Sequence, residues 1–260
     1  MQRVDEPEVF LIASSQVHKD GMDAYLEKVG GTSWLERMNE ALAPYAEMLI
    51  EFAGRLCYRS WEPGLNANVT KIREDRGEYL RNVLRSGHGS VLEHASFTFV
   101  IHNASRVLTA ELNRHRAGVA ISEQSLRFVR LDDLPFRLPP NVSEDTQRRM
   151  TALVEHIEDQ VRAMYDAEGI ATAEDFATKK QITSAIRRVA PMGLGTELVW
   201  TANVRAIRHV LTMRSAAGAE EEIRVFARRL YELVHAEAPL LFGDYAKDED
   251  GSLITEFVKV

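Results

Sequence analysis

Residues 114–127 read Arg-His-Arg-Ala-Gly-Val-Ala-Ile-Ser-Glu-Gln-Ser-Leu-Arg, a stretch with three arginines, a histidine, a glutamate and two serines between apolar, periodic segments. An arginine is permanently charged and offers a planar fork of donors. Three arginines beside hydroxyls and one carboxylate therefore suit a phosphate group and a polar ring. An Arg-His-Arg triplet taken alone is equally typical of a solvated helix end before an ordinary strand. The rest of the chain decides between the two interpretations.

The composition of the whole chain favours one large domain. Its 260 residues are 45% hydrophobic and include 8 prolines, which is enough to bury a substantial core over residues 1–260 without a second domain. The formal net charge of −7 and the pI near 5.7 argue against binding of a nucleic acid polymer, which requires a net basic face. The arginines of 114–127 are therefore predicted to form a local site for a small anion.

The chain shows no signal for membrane insertion or secretion. No apolar stretch approaches the roughly 20 residues that span a bilayer, and Met1–Pro7 is polar and acidic rather than basic. We therefore predict a cytoplasmic protein without a membrane partner. Cys57 is the single cysteine, so neither an intramolecular disulfide nor a cysteine-based metal cluster is expected. Its neighbours Leu56 and Tyr58 fit a buried structural thiol at least as well as a nucleophile.

Residue spacing predicts helices in the first third of the chain. Residues 33–58 are rich in Leu, Met, Ala and Glu and are interrupted at Pro44, which predicts two consecutive helices. Turn formers at 60–72 predict a loop. A helix is expected through 78–84 and should end at Gly87-His88-Gly89-Ser90.

A strand and a capped helix are predicted next. Apolar and polar residues alternate through 96–102, which is typical of a half-buried strand. Ser105 is placed to cap a helix that carries Arg114 near its C-terminal end. An extended pattern is expected to resume at Leu126–Val129.

The second half of the chain is predicted to be nearly all helical. Apolar residues recur at spacings of three and four through 150–164, an amphipathic helix. Further helices are expected at 182–189, 198–213 and 223–234. The predicted fold class is α/β of the α+β kind: a single mixed domain with an antiparallel-containing sheet, many helices and a helical C-terminal half.

Several common kinds of site are not supported by the sequence. None of the 8 histidines forms a His-Glu-x-x-His pair, and His88 and His94 have no cysteine partner, so a metal site is not expected. Ser125 lacks the Gly-x-Ser-x-Gly setting of a hydrolase nucleophile. Neither glycine-rich phosphate loop, Gly-x-x-x-x-Gly-Lys or Gly-x-Gly-x-x-Gly, is present, so side chains would have to hold a nucleotide or flavin.

Three further polar clusters interrupt the apolar segments. Their joint presence favours a binding site over a set of solvated helix faces. Arg205 and His209 are four residues apart and would share one face of a helix. The clusters are 87–90 with Glu93-His94, then 186–191, then 201–205 with His209 and Arg214.

The chain resembles the flavin-dependent thymidylate synthases (ThyX) from about Cys57 to Phe242. The combination of an Arg-His-Arg … Ser element with Gly-His-x-Ser-Val-x-Glu-His is highly specific for that family. The elements that carry the resemblance are Arg114-His115-Arg116 with Glu123-x-Ser125-x-Arg127, Gly87-His88-Gly89-Ser90-Val91-x-Glu93-His94, Phe97-Thr98-Phe99, Ser105-Arg106, Arg187, Asn203-x-Arg205 and Arg214.

The resemblance implies an FAD enzyme, usually a homotetramer with sites between subunits. It would transfer the methylene carbon of methylenetetrahydrofolate to C5 of dUMP, with NADPH as reductant and without a cysteine nucleophile. The residues implied to line FAD are His88, Ser90, Arg114, His115, Arg116, Glu123, Asn203, Arg205 and His209. Those implied to bind substrate are Glu111, Arg114, Glu123, Ser125, Arg127, Arg187 and Arg214, with Arg214, Ser125 and Arg114 in catalytic roles. Arg214 would polarise the uracil carbonyl as negative charge develops on the ring.

The chain departs from the family pattern at positions that bear on the substrate. Eight residues separate Arg116 from Ser125 where seven are usual, so the loop beneath the nucleotide is expected to be displaced. Glu111 replaces a glutamine near the phosphate, and two like charges about 4 Å apart repel by roughly 4 kcal/mol at an effective dielectric near 20. Glu111 would then pair with an arginine, be protonated, or accept a hydrogen bond from a ribose hydroxyl.

Other departures and three functional hypotheses follow from the same comparison. The leading hypothesis is a dUMP-methylating enzyme, the second a paralogue that methylates UMP because of Glu111, and the third a non-catalytic flavin- or nucleotide-binding relative. Glu220-Glu221 would place acid near the flavin or a subunit contact. The remaining departures are Val119, Ile121 and Ser122 for a more polar run, Phe128 for tyrosine and Gly218 for histidine.

Overall fold

The computed structural model describes residues 3–4, 6–40, 43–131 and 135–260, with side chains described for all of these except 38–40. The helices are α1 (Lys19–Val29), α2 (Thr32–Glu40), α3 (Tyr45–Tyr58), α4 (Arg76–Ser86), α5 (Arg106–Leu112), α6 (Glu144–Ala167), α7 (Phe176–Ile186), α8 (Val204–Arg214), α9 (Glu221–Glu237) and α10 (Pro239–Phe242). The strands are β1 (Arg3–Val4), β2 (Glu8–Ser14), β3 (Ser96–Ser105), β4 (Val119–Glu123), β5 (Phe136–Arg137), β6 (Gly195–Asn203), β7 (Tyr245–Lys247) and β8 (Leu253–Thr255). Short 3-10 helices span Gly89–Glu93 and Arg187–Val189.

A four-stranded antiparallel sheet forms the centre of the fold, in the order β2-β3-β6-β4. The register aligns Leu11, Phe99, Trp200 and Ile121 in one row across all four strands. Phe99 and Trp200 are fully buried, with ring centroids 5.8 Å apart. Such cross-strand pairs stabilise a sheet and define its inner face. The α+β class, with an antiparallel sheet and many helices, is therefore confirmed.

The main core lies between this inner face and helices α4, α8 and α9. Leu80 of α4, Ile207 of α8 and Phe226 of α9 are fully buried in it, and the Phe226 ring packs edge-on against Trp200. The opposite face of the sheet exposes Phe10, Ile12 and Val199, at 48%, 55% and 38% of their side-chain surface. The sheet therefore has one covered face and one open face that carries both apolar and polar side chains.

Two smaller clusters flank the main core. One surrounds Trp34 and Trp61 where α1, α2 and α3 meet, and the other lies around Val161 and Tyr165 on α6. The predicted break at Pro44 is confirmed, because this proline precedes the first residue of α3. Residues 41–42 of the predicted break lie outside the described residues.

The predicted helix at 198–213 is wrong in its first third. Residues 195–203 form strand β6, and α8 begins only at Val204. The reason is a period-two pattern: Leu198, Trp200 and Ala202 are buried, whereas the residues between them face the open side of the sheet. Most of the described C-terminal half is helical, and its strands are β5, this central strand and the hairpin β7-β8.

The helix after β3 is confirmed together with its cap. The Ser105 hydroxyl accepts a hydrogen bond from Leu108 N at 3.2 Å. Arg114 lies two residues past the end of α5, not within the helix. The extended pattern expected at 126–129 is wrong, because the amides of Phe128 and Val129 both donate to the Ser125 carbonyl and close a turn.

The prediction of a buried thiol at Cys57 is also wrong. Cys57 is exposed, as are Leu56 and Tyr58, because the last turn of α3 faces away from the core. None of the described helices has the length and apolar character needed to span a bilayer.

Candidate active site

A cavity of about 690 Å³ opens at the end of the sheet where β4 begins and β6 ends. Its walls come from the turn after α5, the first turns of α8 and the C-terminal residues 258–260. The residues that line it are Glu93, Arg114, His115, Arg116, Ala117, Gly118, Asn203, Arg205, Ala206, His209, Val258, Lys259 and Val260. The structure thus brings together the predicted flavin residues of the Arg-His-Arg element and those of the Asn203-x-Arg205 element.

Gly118 and Asn203 fasten these two elements to each other. Asn203 N donates to the Gly118 carbonyl at 3.0 Å, and the Asn203 side chain accepts from Ala206 N at 2.9 Å to cap α8. Gly118 has φ +69°, and a Cβ there would lie 2.3 Å from Asn203 Nδ2. Only glycine therefore fits this close approach. The cap starts α8 so that Arg205 and His209 reach the cavity.

The charge of the cavity wall is strongly positive. Among the described lining residues, Arg114, Arg116, Arg205 and Lys259 are cationic and Glu93 is the carboxylate. Glu93 is already engaged, because Arg205 Nη1 lies 2.6 Å from its Oε1. Within the described part of the chain, the guanidinium groups of Arg114 and Arg116 have no carboxylate partner. Such a wall suits an anionic ligand.

Arg214 lies at the end of α8 with its guanidinium held on two sides. Nη1 is 2.6 Å from Glu111 Oε2, and Nε donates to His115 Nε2 at 2.8 Å. Glu111 therefore pairs with an arginine, the first of the three outcomes expected for it. The pair is only partly exposed, so the arginine is fixed in direction before any ligand binds.

The surroundings of the His115 ring keep it neutral. Burial lowers its pKa to about 4, with further lowering from the Arg214 cation and from His209, whose ring centroid lies 5.4 Å away. Since Nε2 accepts from Arg214, the neutral ring carries its proton on Nδ1. His115, which lines the cavity, thus contributes an N–H donor.

A second group of predicted residues lies at the other end of β4. Glu123 pairs with Arg106, whose Nη1 is 2.6 Å from Glu123 Oε1, and Arg106 also donates to the Gln124 carbonyl. Burial and the nearby Arg187 lower the Arg106 pKa, whereas Glu123 raises it. Glu123 lies four residues along the strand from Val119, a span of about 14 Å at 3.4 Å per residue. Glu123 therefore does not line the 690 Å³ cavity.

Of the predicted nucleotide residues, Ser125 and Arg127 follow Glu123 within four residues of the chain, and Arg187 lies near Arg106. Ser125 lies in the turn after β4, where its hydroxyl accepts from Arg127 N at 3.3 Å. Arg127 and Arg187 are exposed, and neither guanidinium has a carboxylate partner among the described residues. Arg106 was quoted in the sequence motif but not predicted as a site residue. Its position as the first residue of the capped helix gave no local indication of the Glu123 pair.

His88 and Ser90 are not among the residues that line the large cavity. His88 lines a second cavity of about 390 Å³, together with Tyr58, Lys71 and Arg73. The His88 ring stacks on Tyr58, with centroids 5.6 Å apart and a hydrogen bond of 3.0 Å between Tyr58 Oη and His88 Nε2. Ser90 is exposed in the 3-10 helix Gly89–Glu93.

The segment expected to be a displaced loop is strand β4. Val119 and Ile121 pack against the main core, while Ala120 and Ser122 are exposed, so the apolar replacements support an edge strand. Glu220 caps α9 by accepting from Glu222 N, and Glu221 pairs with Arg137 at 2.7 Å. The expectation that these two acids lie near the flavin is not supported by their positions, because neither lines a described cavity.

Two other unusual positions face solvent. Phe128 is exposed and stacks on Phe176, with centroids 5.7 Å apart, while Lys180 lies over its ring. Gly218 is exposed, with open space around it. Sequence reasoning also missed residues 258–260, which lie beyond every motif.

Together the fold and the large cavity define a protein with a cationic cavity at the edge of an antiparallel sheet, of a size and charge that suit a bulky anionic ligand. The sequence model of the family described as thymidylate synthase complementing protein (Thy1) matches residues 39–240. A flavin-dependent thymidylate synthase of Mycobacteroides abscessus is 40% identical over 205 residues, covering 76% of this chain and 78% of that protein. One from Corynebacterium diphtheriae is 34% identical over 224 residues, covering 83% and 86%. The chain belongs to the family of flavin-dependent thymidylate synthases and is an enzyme.

Proposed function

We propose that this enzyme converts dUMP to dTMP, with FAD as cofactor, methylenetetrahydrofolate as one-carbon donor and NADPH as reductant. The cationic cavity beside a prearranged Arg214 is the observation that carries this proposal. When bound, the flavin would supply the reducing equivalents that turn the transferred methylene into a methyl group. Every other element of the proposal concerns what the side chains of this chain do.

The large cavity fits a flavin dinucleotide in size and charge. Its volume of about 690 Å³ lies within the range of about 300–1,000 Å³ that is usual for ligand sites. Arg114 and Arg116 have no competing carboxylate among the described residues and would pair with the pyrophosphate. Asn203 and the Nδ1–H of His115 would offer hydrogen bonds to the polar edges of the ring system.

The group at the far end of β4 would hold the nucleotide. Arg127 and Arg187 are exposed cations, and Ser125, two residues before Arg127, would provide a hydroxyl. Bidentate arginine contacts are a common way to bind a phosphate. The nucleotide residues and the flavin residues would lie at opposite ends of β4, and a second copy of the chain would complete the nucleotide site.

Arg214 would stabilise negative charge on the pyrimidine ring during methylene transfer. Its guanidinium is oriented by Glu111 and His115 before substrate arrives, and a preoriented charge needs no reorganisation at the moment of reaction. Burial strengthens the effect, since water screens the charge less.

The structure and the comparisons do not favour UMP as the substrate. Glu111 Oε2 is engaged by Arg214, which gives this carboxylate a role that needs no ribose hydroxyl, and the relatives are named thymidylate synthases. We expect Glu111→Gln to lower kcat with dUMP about tenfold, because Arg214 loses its charged partner. The ratio of kcat/KM for UMP and dUMP should stay unchanged. A shift of this ratio toward dUMP would instead assign Glu111 to ribose recognition.

We also propose a cytoplasmic homotetramer. The open sheet face with Phe10, Ile12 and Val199 supports self-association, since a large exposed apolar patch usually marks an interface. The acidic net charge and the single cysteine are compatible with a cytoplasmic location. Light scattering after size-exclusion chromatography should give four times the mass of one chain, and a monomer would contradict the tetramer.

The proposed function is tested by methyl transfer with purified protein. Flavin absorbance is recorded first, and methylenetetrahydrofolate and NADPH are then supplied with dUMP or UMP in parallel reactions. Formation of dTMP with preference for dUMP supports the proposal. Bound flavin without product from either nucleotide would support the non-catalytic alternative, and preference for UMP would make the enzyme a specialised paralogue.

A further inference from the structure

The C-terminal segment of the chain lies outside the part that matches the family, yet it reaches the flavin cavity. The family match ends at residue 240, whereas Val258, Lys259 and Val260 line the cavity opposite the Arg-His-Arg turn. No sequence motif indicated this position. The role of this segment follows from the contacts that anchor it and from the side chains that it presents to the cavity.

The segment is anchored by buried contacts just before residue 258. Phe257 is 7% exposed and belongs to the main core, and its amide donates to Thr255 Oγ1 at 2.9 Å. Thr255 in turn is hydrogen-bonded to Asp244, which pairs with the fully buried Arg208. Residues 258–260 are therefore held against the cavity by the core of the protein.

Lys259 has a fixed stem and a free ammonium group. A Cβ built on Gly87 would lie 3.4 Å from Lys259 Cβ and 3.8 Å from its Cδ, so the aliphatic stem packs on the Gly87 turn. Lysine commonly packs its stem in this way and leaves its charge toward solvent or a ligand. Within the described part of the chain, the ammonium has no carboxylate or hydrogen-bond partner.

Two features of the segment match a dinucleotide. Lys259 adds a third unpaired cation to Arg114 and Arg116, and such like charges repel one another until an anion lies among them. Val258 is 77% exposed although it lies on the cavity wall, so an apolar surface is available for a ring.

We propose that residues 258–260 form an additional wall of the flavin cavity, in which Lys259 pairs with the pyrophosphate of FAD and Val258 covers a ring. This inference rests on the proposed function, because it assumes that the ligand is FAD. It adds a binding element that lies outside the family match.

The affinity of the full-length apoprotein for FAD, measured by flavin fluorescence, tests this role. Lys259→Glu should weaken FAD binding about tenfold or more, and Lys259→Arg should stay within about twofold of wild type. Lys247→Glu is the matched control, because Lys247 is an exposed lysine of the neighbouring hairpin that does not line the cavity. Unchanged melting temperatures would show that all three variants fold.

Riboflavin separates a charge contact from a general disturbance, because it lacks the pyrophosphate. Its affinity should be the same in wild type and Lys259→Glu. Equal loss of FAD and riboflavin affinity, or wild-type FAD affinity in Lys259→Glu, would overturn the role of Lys259. If wild type itself binds no FAD, both the proposed function and this inference fail. If wild type binds FAD and Lys259→Glu binds it equally well, only this inference fails, so the two failures are distinguishable.

Discussion

Arg214 illustrates how single residues of this protein are prepared for their chemistry. Its guanidinium donates to the Glu111 carboxylate, to the Glu111 carbonyl at 3.2 Å and to the His115 ring. These contacts fix both the position and the plane of the charge. A charge that is fixed in this way needs no reorganisation when a ligand binds, which supports the electrostatic role proposed for Arg214.

Arg214→Ala should lower kcat by about 100-fold or more while FAD stays bound. The reason is the loss of a preoriented charge, for which reductions of about 10² to 10³ are typical. Stopped-flow and steady-state rates of dTMP formation measure the change in kcat, and the flavin absorbance spectrum shows whether FAD stays bound. Arg229→Ala is the control, because Arg229 is a partly exposed arginine that pairs with Glu6 away from the cavity. Turnover at the wild-type level in Arg214→Ala would remove this role.

His115 should stay neutral throughout the physiological pH range. Burial is the main cause of its pKa of about 4, so between pH 4 and 6.5 the unfolded chain binds a proton that the folded chain does not. Stability therefore increases with pH through this window and is lost as the pH falls from 6.5 toward 4. NMR titration of the His115 ring and thermal unfolding at several pH values measure the two effects.

The variant His115→Gln tests the same linkage. It should lose less stability than wild type between pH 6.5 and 5, because glutamine has no proton to bind. A His115 ring that titrates near pH 6.5 in the folded wild type would contradict the buried, neutral state.

At the scale of elements, the start of α5 joins a strand, a helix and a buried acid. Ser105 caps α5 through its hydroxyl, and its amide donates to Glu222 Oε1 at 2.8 Å. The hydroxyl also donates to the other Glu222 oxygen. Burial raises the Glu222 pKa, although the bonds from Ser105 lower it. This junction sets where the helix before the Arg-His-Arg turn begins.

Ser105→Ala should destabilise the protein by about 2–3 kcal/mol. It removes a helix cap, worth about 1 kcal/mol, and leaves a buried carboxylate oxygen without its donor. Ser143→Ala is the matched control, since Ser143 caps α6 in the same way but is exposed and bonds no buried acid. It should cost only about 0.5–1 kcal/mol. Equal free energies of unfolding for both variants would show that the Glu222 bond contributes nothing.

At the scale of the whole molecule, one buried ion pair ties the C-terminal hairpin to the core. Arg208 on α8 is fully buried and donates to both Asp244 oxygens at 2.7 Å and to the Leu241 carbonyl at 2.6 Å. Burial alone raises the Asp244 pKa, but the hydrogen bonds and charge of Arg208 outweigh it, so the net pKa is lowered. The same helix thus carries cavity residues on one side and the anchor of the hairpin on the other.

Asp244→Asn should destabilise the protein by about 3 kcal/mol, because it leaves the buried Arg208 charge uncompensated. In wild type this stabilisation is present above the unfolded pKa of about 4 and is lost as the pH falls through the lower folded pKa. Chemical unfolding of wild type and Asp244→Asn at pH 7 and pH 3 measures both the effect of the substitution on the free energy of unfolding and its dependence on pH. Glu232→Gln, which removes only an exposed partner of Lys247, should change stability by less than about 0.5 kcal/mol. A wild-type value for Asp244→Asn would contradict the anchoring role.

The sequence by itself determined the features that depend on near neighbours. The alternation of apolar and polar residues through 96–102 predicted β3, and the three- and four-residue spacing of apolar residues predicted α6. Ser105 was predicted to cap the helix that follows it. These features depend only on residues that are close together in the sequence. The dense polar motifs around Arg114 also indicated the family, and they placed most of the cavity's arginines and histidines correctly in one group. The assignment of individual roles to these residues stays a prediction.

Only the tertiary structure decided the features that depend on distant residues. β6 was mistaken for a helix because its identity depends on the flanking strands β3 and β4, against which Trp200 packs. Glu111 and Arg214 pair across 103 residues, and Lys259 reaches the cavity through the buried anchor of the hairpin. Such contacts arise from packing of the whole chain, so they cannot be predicted from residue type and spacing along the sequence.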